Sequence, residues 1–381
     1  MTSRRLLILA AVAIVVIGAG LWLASRQSSS GARGADVALY PELKKQLDSV
    51  TAINIYKPGD ARVVELVRKD SAWVVGERSG YPADASKLRK LLVGIADAKP
   101  FEEKTSNPEA YKSLGVEDVS KTDASGVRIE LVGPSSPVNL IVGKPGMGAQ
   151  SSYVRRAGEP QSWLINTSID TSPTPDAWLR KEVIDISADR VQSAAVTIGT
   201  KSYTAAKKSR ADANFNVEAL PKGKELSSPA AANSFATALT SLTLTDVQPA
   251  SAFESTPPAA RTTLKTFDGL IAELSGWIKG DKHYVALKTS FDAAQAERFK
   301  VATAPTDAPA EKDAKAEAQG EGGPADAKAT AKATAEAAKP AAPNIEEEAQ
   351  TANAKLIGWV YEIPQYKYES LFKPLDELLK K

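Results

Sequence analysis

The sequence has no cysteine, a single histidine at position 283 and few aromatic side chains. Without cysteine there is no disulfide to brace the fold and no lipidated N-terminal Cys. With one histidine besides, a zinc or copper site would depend on carboxylates, an unusual donor set for either ion. An excess of one charge is missing too: 48 Lys and Arg against 46 Asp and Glu leave +2. That balance offers no electrostatic footprint for nucleic acid. Stability must therefore come from packing, and 43% hydrophobic residues over 381 positions suffice for one large or two ordinary domains.

Long apolar runs are also scarce, with one exception. Residues 6–24 are nineteen consecutive residues without a charge, preceded by Arg4 and Arg5. As a helix this run would extend roughly 28 Å, the thickness of a bilayer's hydrocarbon core. The basic start favours a cytoplasmic N-terminus. The expectation is a cytoplasmic tail at 1–5, a transmembrane helix at 6–24 and a linker at 25–45 that includes a Ser/Gly spacer at 27–34. The chain would then be a single-pass inner-membrane protein with its C-terminal region in the periplasm. The alternative is a cleaved signal peptide, whose apolar region usually spans about 7–15 residues before a small-x-small site. Trp22 stands where cleavage after Ala24 would need a small side chain, and its amphipathic ring suits a membrane interface.

A second biased stretch lies at 303–354. It is Ala, Lys, Glu, Pro and Gly almost throughout, with Ile345 as its one large apolar residue, and it carries five Lys against ten Asp and Glu. So little apolar surface cannot offset the entropy of ordering a chain, so the segment is expected to be a disordered insertion.

The remainder reads as one pattern used twice. Alternating segments at 50–56 and 63–67 flank a Pro58-Gly59-Asp60 turn, and 72–76 adds a strand. A helix follows from Asp84, with Leu88, Leu91, Leu92 and Ile95 on one face. Segments 194–198, 202–206 and 214–218 repeat the strands, and Ser228-Pro229 would start a matching helix with Phe235, Leu239 and Leu242 on its face. Further strands are expected at 127–132, 138–142, 152–156 and 162–165, matched by 261–267, 270–274, 283–288 and 356–363. Each half closes on a helical stretch, 175–181 and 368–380. Tyr153-Val154 aligns with Tyr284-Val285, and Trp163 with Trp359. Trp73 and Phe215 are 142 positions apart and Trp163 and Trp359 are 196 apart, so the second copy has gained about as many residues as the low-complexity segment holds. That segment is expected inside a hairpin of the second copy, a tolerable place because loop closure entropy grows slowly with length.

Several phrases carry a family resemblance: Tyr-Pro-Ala-Asp at 81–84, Leu-Gly-Val-Glu-Asp at 114–118, Leu-Ile-Val-Gly-Lys at 140–144 and Tyr-Val-Arg at 153–155. Together the sequence resembles domain of unknown function 4340. Members of that family are often encoded beside permease and gliding-motility-type auxiliary components of ABC transporters. The resemblance implies an accessory role and defines no functional residues.

Motifs that could carry chemistry are few, and each has a plainer reading. His283 follows a turn at 279–282, with no Gly-x-Ser-x-Gly elbow to supply a nucleophile, and reads as a solvated strand-end histidine. The glycine-rich run at 143–148 lacks the order of a phosphate-binding loop and sits between strands, where a hairpin turn explains it. Asp212, Asn214 and Asn216 mimic the first ligands of a calcium loop, but Val217 and Gly223 stand where Gly and Glu are needed. The tryptophans at 73, 163, 178, 277 and 359 read as core or edge packing, with a ligand groove between the copies left open.

The expected architecture is α+β: an N-terminal transmembrane helix, then two homologous modules of antiparallel-rich sheets with packed helices, at 46–185 and 186–381. No catalytic, cofactor-binding or metal residue is assigned, and no cofactor or enzymatic activity is expected. The expected function is a membrane-anchored extracytoplasmic accessory or binding protein associated with an ABC-type transport system. Its partner would be a membrane or envelope protein, an ABC-type permease among the candidates. A structural envelope protein that binds a polymer or protein through strand edges is the alternative, and an envelope hydrolase a third.

Overall fold

A computed structural model describes residues 37–147, 150–300 and 344–380. The expected transmembrane helix, the Ser/Gly spacer and residues 303–343 of the insertion lie outside the described residues. Among the described residues no helix is long and apolar enough to cross a membrane.

The chain is α+β with antiparallel sheets and few helices. In the first sheet β1 (Ala52–Lys57), β2 (Ala61–Lys69), β3 (Ala72–Val75) and β4 (Tyr81–Pro82) run outward from the centre. On the other side follow β6 (Val127–Val132), β7 (Val138–Pro145), β8 (Ser152–Arg156) and β9 (Ser162–Ile165), with β5 (Pro100–Glu103) at the far edge. Short strands β10 (Glu182–Ile184) and β14 (Leu242–Thr243) form a sheet of their own. The second large sheet orders β13 (Asn216–Val217), β12 (Lys201–Ala206), β11 (Val191–Ile198), β16 (Ala260–Thr266), β17 (Leu270–Lys279), β18 (Lys282–Phe291), β19 (Trp359–Ile363) and β15 (Asp246–Pro249). Apart from β4, the two sheets have one and the same strand order.

Alternation explains the strands. In β1 Ile53 and Ile55 face the core, as Ala194 and Val196 do in β11, and the Gly59-Asp60 turn has both residues at positive φ. Helix α1 (Ala85–Ala96) starts where Asp84 accepts hydrogen bonds from the Ser86 and Lys87 amides, satisfying donors that the helix leaves orphaned. Its Leu88, Leu91 and Ile95 are fully buried, worth roughly 2 kcal/mol apiece. One continuous core then runs from α1 and the first sheet through Trp178 and Leu179 to the second sheet.

Three expectations need correction. The helix expected from Ser228-Pro229 is a string of turns with a single helical turn, α3 (Ser234–Thr237), although Phe235, Leu239 and Leu242 are buried as expected. Asn233 explains the break: its side chain accepts from the Phe215 amide and donates to Asn214 Oδ1, so it is tied to the neighbouring loop. Second, the end of the low-complexity segment is helical. Helix α5 (Ile345–Leu356), which follows residues 301–343 as the short α4 (Ala293–Arg298) precedes them, is capped by Asn344 and buries Ala349 and Leu356. It lies along the part of β18 that extends past β19, where the Thr289 amide donates to Asn353 Oδ1 and the Thr289 hydroxyl to Ala349 O. The helix thus covers a sheet edge, which gives it tertiary contacts that composition does not reveal. Third, Val154 pairs with Trp163 in the first sheet while Val285 pairs with Tyr361 in the second. Tyr361, and not Trp359, is the ladder counterpart of Trp163. The insertion does lie between the hairpin strands β18 and β19, whereas β8 and β9 are joined directly by residues 157–161.

Candidate functional site

The family-like phrases gather in two places. On the outer face of the first sheet, Arg155 Nε donates to Val116 O at 2.8 Å and Nη2 to Asp118 Oδ1 at 2.6 Å, and the guanidinium lies 4.6 Å from the Tyr111 ring centre. Lys144 Nζ reaches Lys112 O and Ser113 O at the carbonyl end of the short helix α2 (Tyr111–Leu114). Gly143 is glycine because a Cβ there would sit 2.3 Å from Leu114 O. Leu-Gly-Val-Glu-Asp, Leu-Ile-Val-Gly-Lys and Tyr-Val-Arg therefore form one lock that straps residues 104–126 across the sheet.

The second gathering is the seam between the halves. Tyr81 is buried, its ring edge-on to Trp359 at 5.0 Å and near Tyr361 at 6.2 Å. Arg78 makes a two-pronged ion pair with Asp246, Nε to Oδ1 at 2.6 Å and Nη2 to Oδ2 at 2.9 Å, and this hydrogen-bonded carboxylate raises the arginine's pKa despite partial burial. Residues 178–184 connect the halves by bonding to both. The Asp84 amide donates to Trp178 O and the Arg180 amide to Pro82 O, then Leu244 N donates to Lys181 O and β10 pairs with β14. Lys181 donates to Thr245 O, and burial pushes its pKa down. Lys87 completes the joint: Nζ is 3.1 Å from Asp170, donates to Ala177 O and lies 4.4 Å from the Trp178 ring. Burial raises the Asp170 pKa, but hydrogen bonds from Ser172 and Lys87 outweigh it and hold the carboxyl below its ordinary value.

Beside this joint is a cleft of about 460 Å³, with Arg180, Val183 and Ile184 on one wall and Thr351, Ala352 and Lys355 of α5 on the other. Its size suits a small ligand.

The residues weighed from sequence fall elsewhere. His283 lies in β18 opposite Ile278 and Ile363, its ring 5.0 Å from Tyr368, whose hydroxyl burial pushes up to about 12. Asp212 accepts from the Lys208 and Ser209 amides and the Ser209 hydroxyl, Asn214 Oδ1 is held by Asn233, and Asn216 begins β13; this is a turn leading into a strand. Gly143, Lys144 and Pro145 belong to β7, Gly146 and Met147 start the turn toward β8, and Gly148 is outside the described residues. Trp178 and Trp277 are buried, while Trp73, Trp163 and Trp359 pack at the core's margin. Among the described residues no cluster of three or more His, Asp or Glu could hold a metal ion. Sequence reasoning missed Arg78 and Asp246, whose meeting depends on how the two sheets abut, and Arg180, which lies beside them in the connection between the halves.

A family model described as "Domain of unknown function (DUF4340)" matches residues 73–266. The chain belongs to this family. The match runs from β3 of the first sheet through the joint to β16 of the second, so Arg78, Tyr81, residues 178–184 and Asp246 lie within it, while Trp359, Tyr361 and α5 lie outside. No curated protein and no solved structure matches it.

Proposed function

We propose that this protein is a membrane-anchored, extracytoplasmic accessory or binding subunit, with an ABC-type transport system as its setting. One observation carries the reading: a 19-residue uncharged run behind two arginines precedes a body in which two like-ordered sheets meet at a joint with a ligand-sized cleft beside it. Tethering confines the body to a plane and raises the effective concentration of a membrane partner, so a modest contact suffices. The reading of a polymer binder through strand edges draws less support, because edge strands β4 and β13 are two residues long and β5 carries Glu102 and Glu103. The test is to replace residues 1–24 with a cleavable signal and measure complementation together with crosslinked membrane partners. The tethered form should resist carbonate extraction and capture a membrane protein, and the released form should lose function while remaining folded. Full complementation by the released form at normal abundance would overturn the proposal.

A further inference from the structure

The cleft beside the joint has a chemistry of its own. Arg180 is fixed by its backbone on both sides, its amide donating to Pro82 O and its carbonyl accepting from the Tyr81 hydroxyl. Its guanidinium, by contrast, has no ion pair among the described residues; it neighbours the Tyr81 hydroxyl and lies 5.9 Å from that ring, and Nε is buried without an acceptor. Every other arginine of the joint and of α5's anchorage is paired: Arg78 with Asp246, and Arg190 with both Asp268 and Glu348. Native structures rarely leave a buried donor such as this Nε unanswered without a reason. The apolar walls are Val183, Ile184 and Ala352, and the lining also includes Glu182, Asp185 and Glu347, all exposed at the rim, against Lys355.

We propose that this cleft binds a zwitterionic amino-carboxylate, an amino acid or a short peptide, with its carboxylate on Arg180 and its ammonium group toward Glu182 and Glu347. A planar carboxylate matches the guanidinium fork. Arg190 is shared between Asp268 and Glu348, so even with Glu348 set aside the charged lining holds Glu182, Asp185 and Glu347 against Arg180 and Lys355 and is net acidic, which disfavours a phosphate dianion and favours a ligand that brings its own positive charge. The cleft volume is at the lower end of the range for small-ligand sites, enough for about three small residues. The proposal rests on the reading of the body as a binding subunit, yet the two fail separately: ligand binding needs no membrane partner, and complementation by a released form says nothing of the ligand.

The experiment is calorimetric titration of the full chain in detergent with Ala-Ala-Ala, its C-terminal amide, its N-acetylated form and inorganic phosphate. Expected is saturable binding of the free tripeptide, with amidation and acetylation each weakening it at least tenfold. Arg180→Gln should weaken it at least tenfold, Arg180→Lys less, and Glu347→Gln a few-fold. A thermal melt of each variant separates loss of binding from loss of fold, and if Arg180→Gln does not fold, Arg180→Lys and Glu347→Gln decide. No binding of the free tripeptide, equal binding of the amide, affinity indifferent to these substitutions in folded protein, or phosphate binding as tightly through Arg180 would each overturn the proposal.

Discussion

At one position the two sheets solve the same problem with the smallest and the largest side chain. Val142 of β7 pairs with Val154, and Gly276 of β17 pairs with Val285, so the residues that follow, Gly143 and Trp277, correspond in sequence, although β7 has a register shift after Val142 that β17 lacks. In the first half the space over this residue is filled by backbone: Leu114 and Gly115 press so close that a Cβ has no room, and the strap 104–126 crosses the sheet. The second half has only residues 250–259 between β15 and β16, and there an indole fills the space, packed on Phe253 and bonded through Nε1 to Thr256 O. Tyr153 and Tyr284 flank the two solutions. The lesson is that a duplicated sheet conserves volume on its outer face and not residue type, so a long strap with glycine and a short loop with tryptophan are equivalent packings.

The largest expected effect concerns what the halves share. Tyr81 is fully buried between the sheets, against Trp359 and Tyr361. Tyr81→Ala should cost about 3–5 kcal/mol, the range for deleting a large buried ring. Because one core spans both sheets, tryptophan fluorescence and far-ultraviolet circular dichroism should report one coincident denaturant transition before and after the change. Two resolved transitions in the unaltered chain would show that the halves unfold separately and that the seam is a mere contact.

A smaller effect tests the glycine side of the comparison. Gly143→Ala places a methyl against the Leu114 carbonyl, and overpacking of this kind costs about 1–3 kcal/mol. Gly199 is a useful control: it sits in the β11–β12 turn at φ 58° with nothing near its missing Cβ. Gly199→Ala should therefore carry only the left-handed backbone cost, about 1 kcal/mol. Melting temperatures of the two variants, side by side, decide the matter. If Gly143→Ala is no worse than Gly199→Ala, close backbone approach is not what keeps glycine in the first half.

How far such features were legible depends on whether their cause is local. Strands β6, β8 and β9 have the bounds read from alternation, because period-two patterning is a property of neighbouring residues. The α1 cap at Asp84 was legible for the same reason. The second helix was overread because Asn233 answers to Asn214 and Phe215, partners brought near by β12 and β13. Helix α5 was missed although a local signal existed: Asn344 followed by Glu347 is a capping pattern, and Ile345, Ala349, Ala352 and Leu356 recur at helical spacing. The acidic, alanine-rich composition around it outweighed that signal. Arg180, the residue on which the cleft proposal depends, carried no sequence mark at all, since its lack of a carboxylate partner among the described residues is defined by what the fold fails to bring near it.

The smallest effect is a pH dependence that each half carries through its own carboxylate. Arg190 joins the end of the second sheet to α5, donating through Nε to Asp268 at 2.8 Å and through Nη1 and Nη2 to Glu348 at 2.8 and 3.0 Å. Burial pushes the Asp268 pKa up, but hydrogen bonds from Thr266 and Arg190 and the arginine's charge outweigh it and hold the carboxyl below its ordinary value. A depressed carboxyl contributes stability that is present above its unfolded pKa, about 4, and is lost as pH falls through the folded value. Hydrogen exchange of α5 should therefore speed up, relative to its intrinsic rate, as pH drops below about 4. Asp268→Asn should lower α5 protection at neutral pH and flatten its acid limb, because the titrating group is gone. In the first half Asp170, depressed through Ser172 and Lys87, should give α1 its own acid limb, and Asp268→Asn should leave that limb unchanged. An α5 whose protection ignores both pH and Asp268→Asn would mean that its hold on the β18 edge, through Thr289, Ala349 and Asn353, suffices without the ion pairs. A parallel change in α1 would instead show that acid acts through the core that both halves share, and not through each half's own carboxylate.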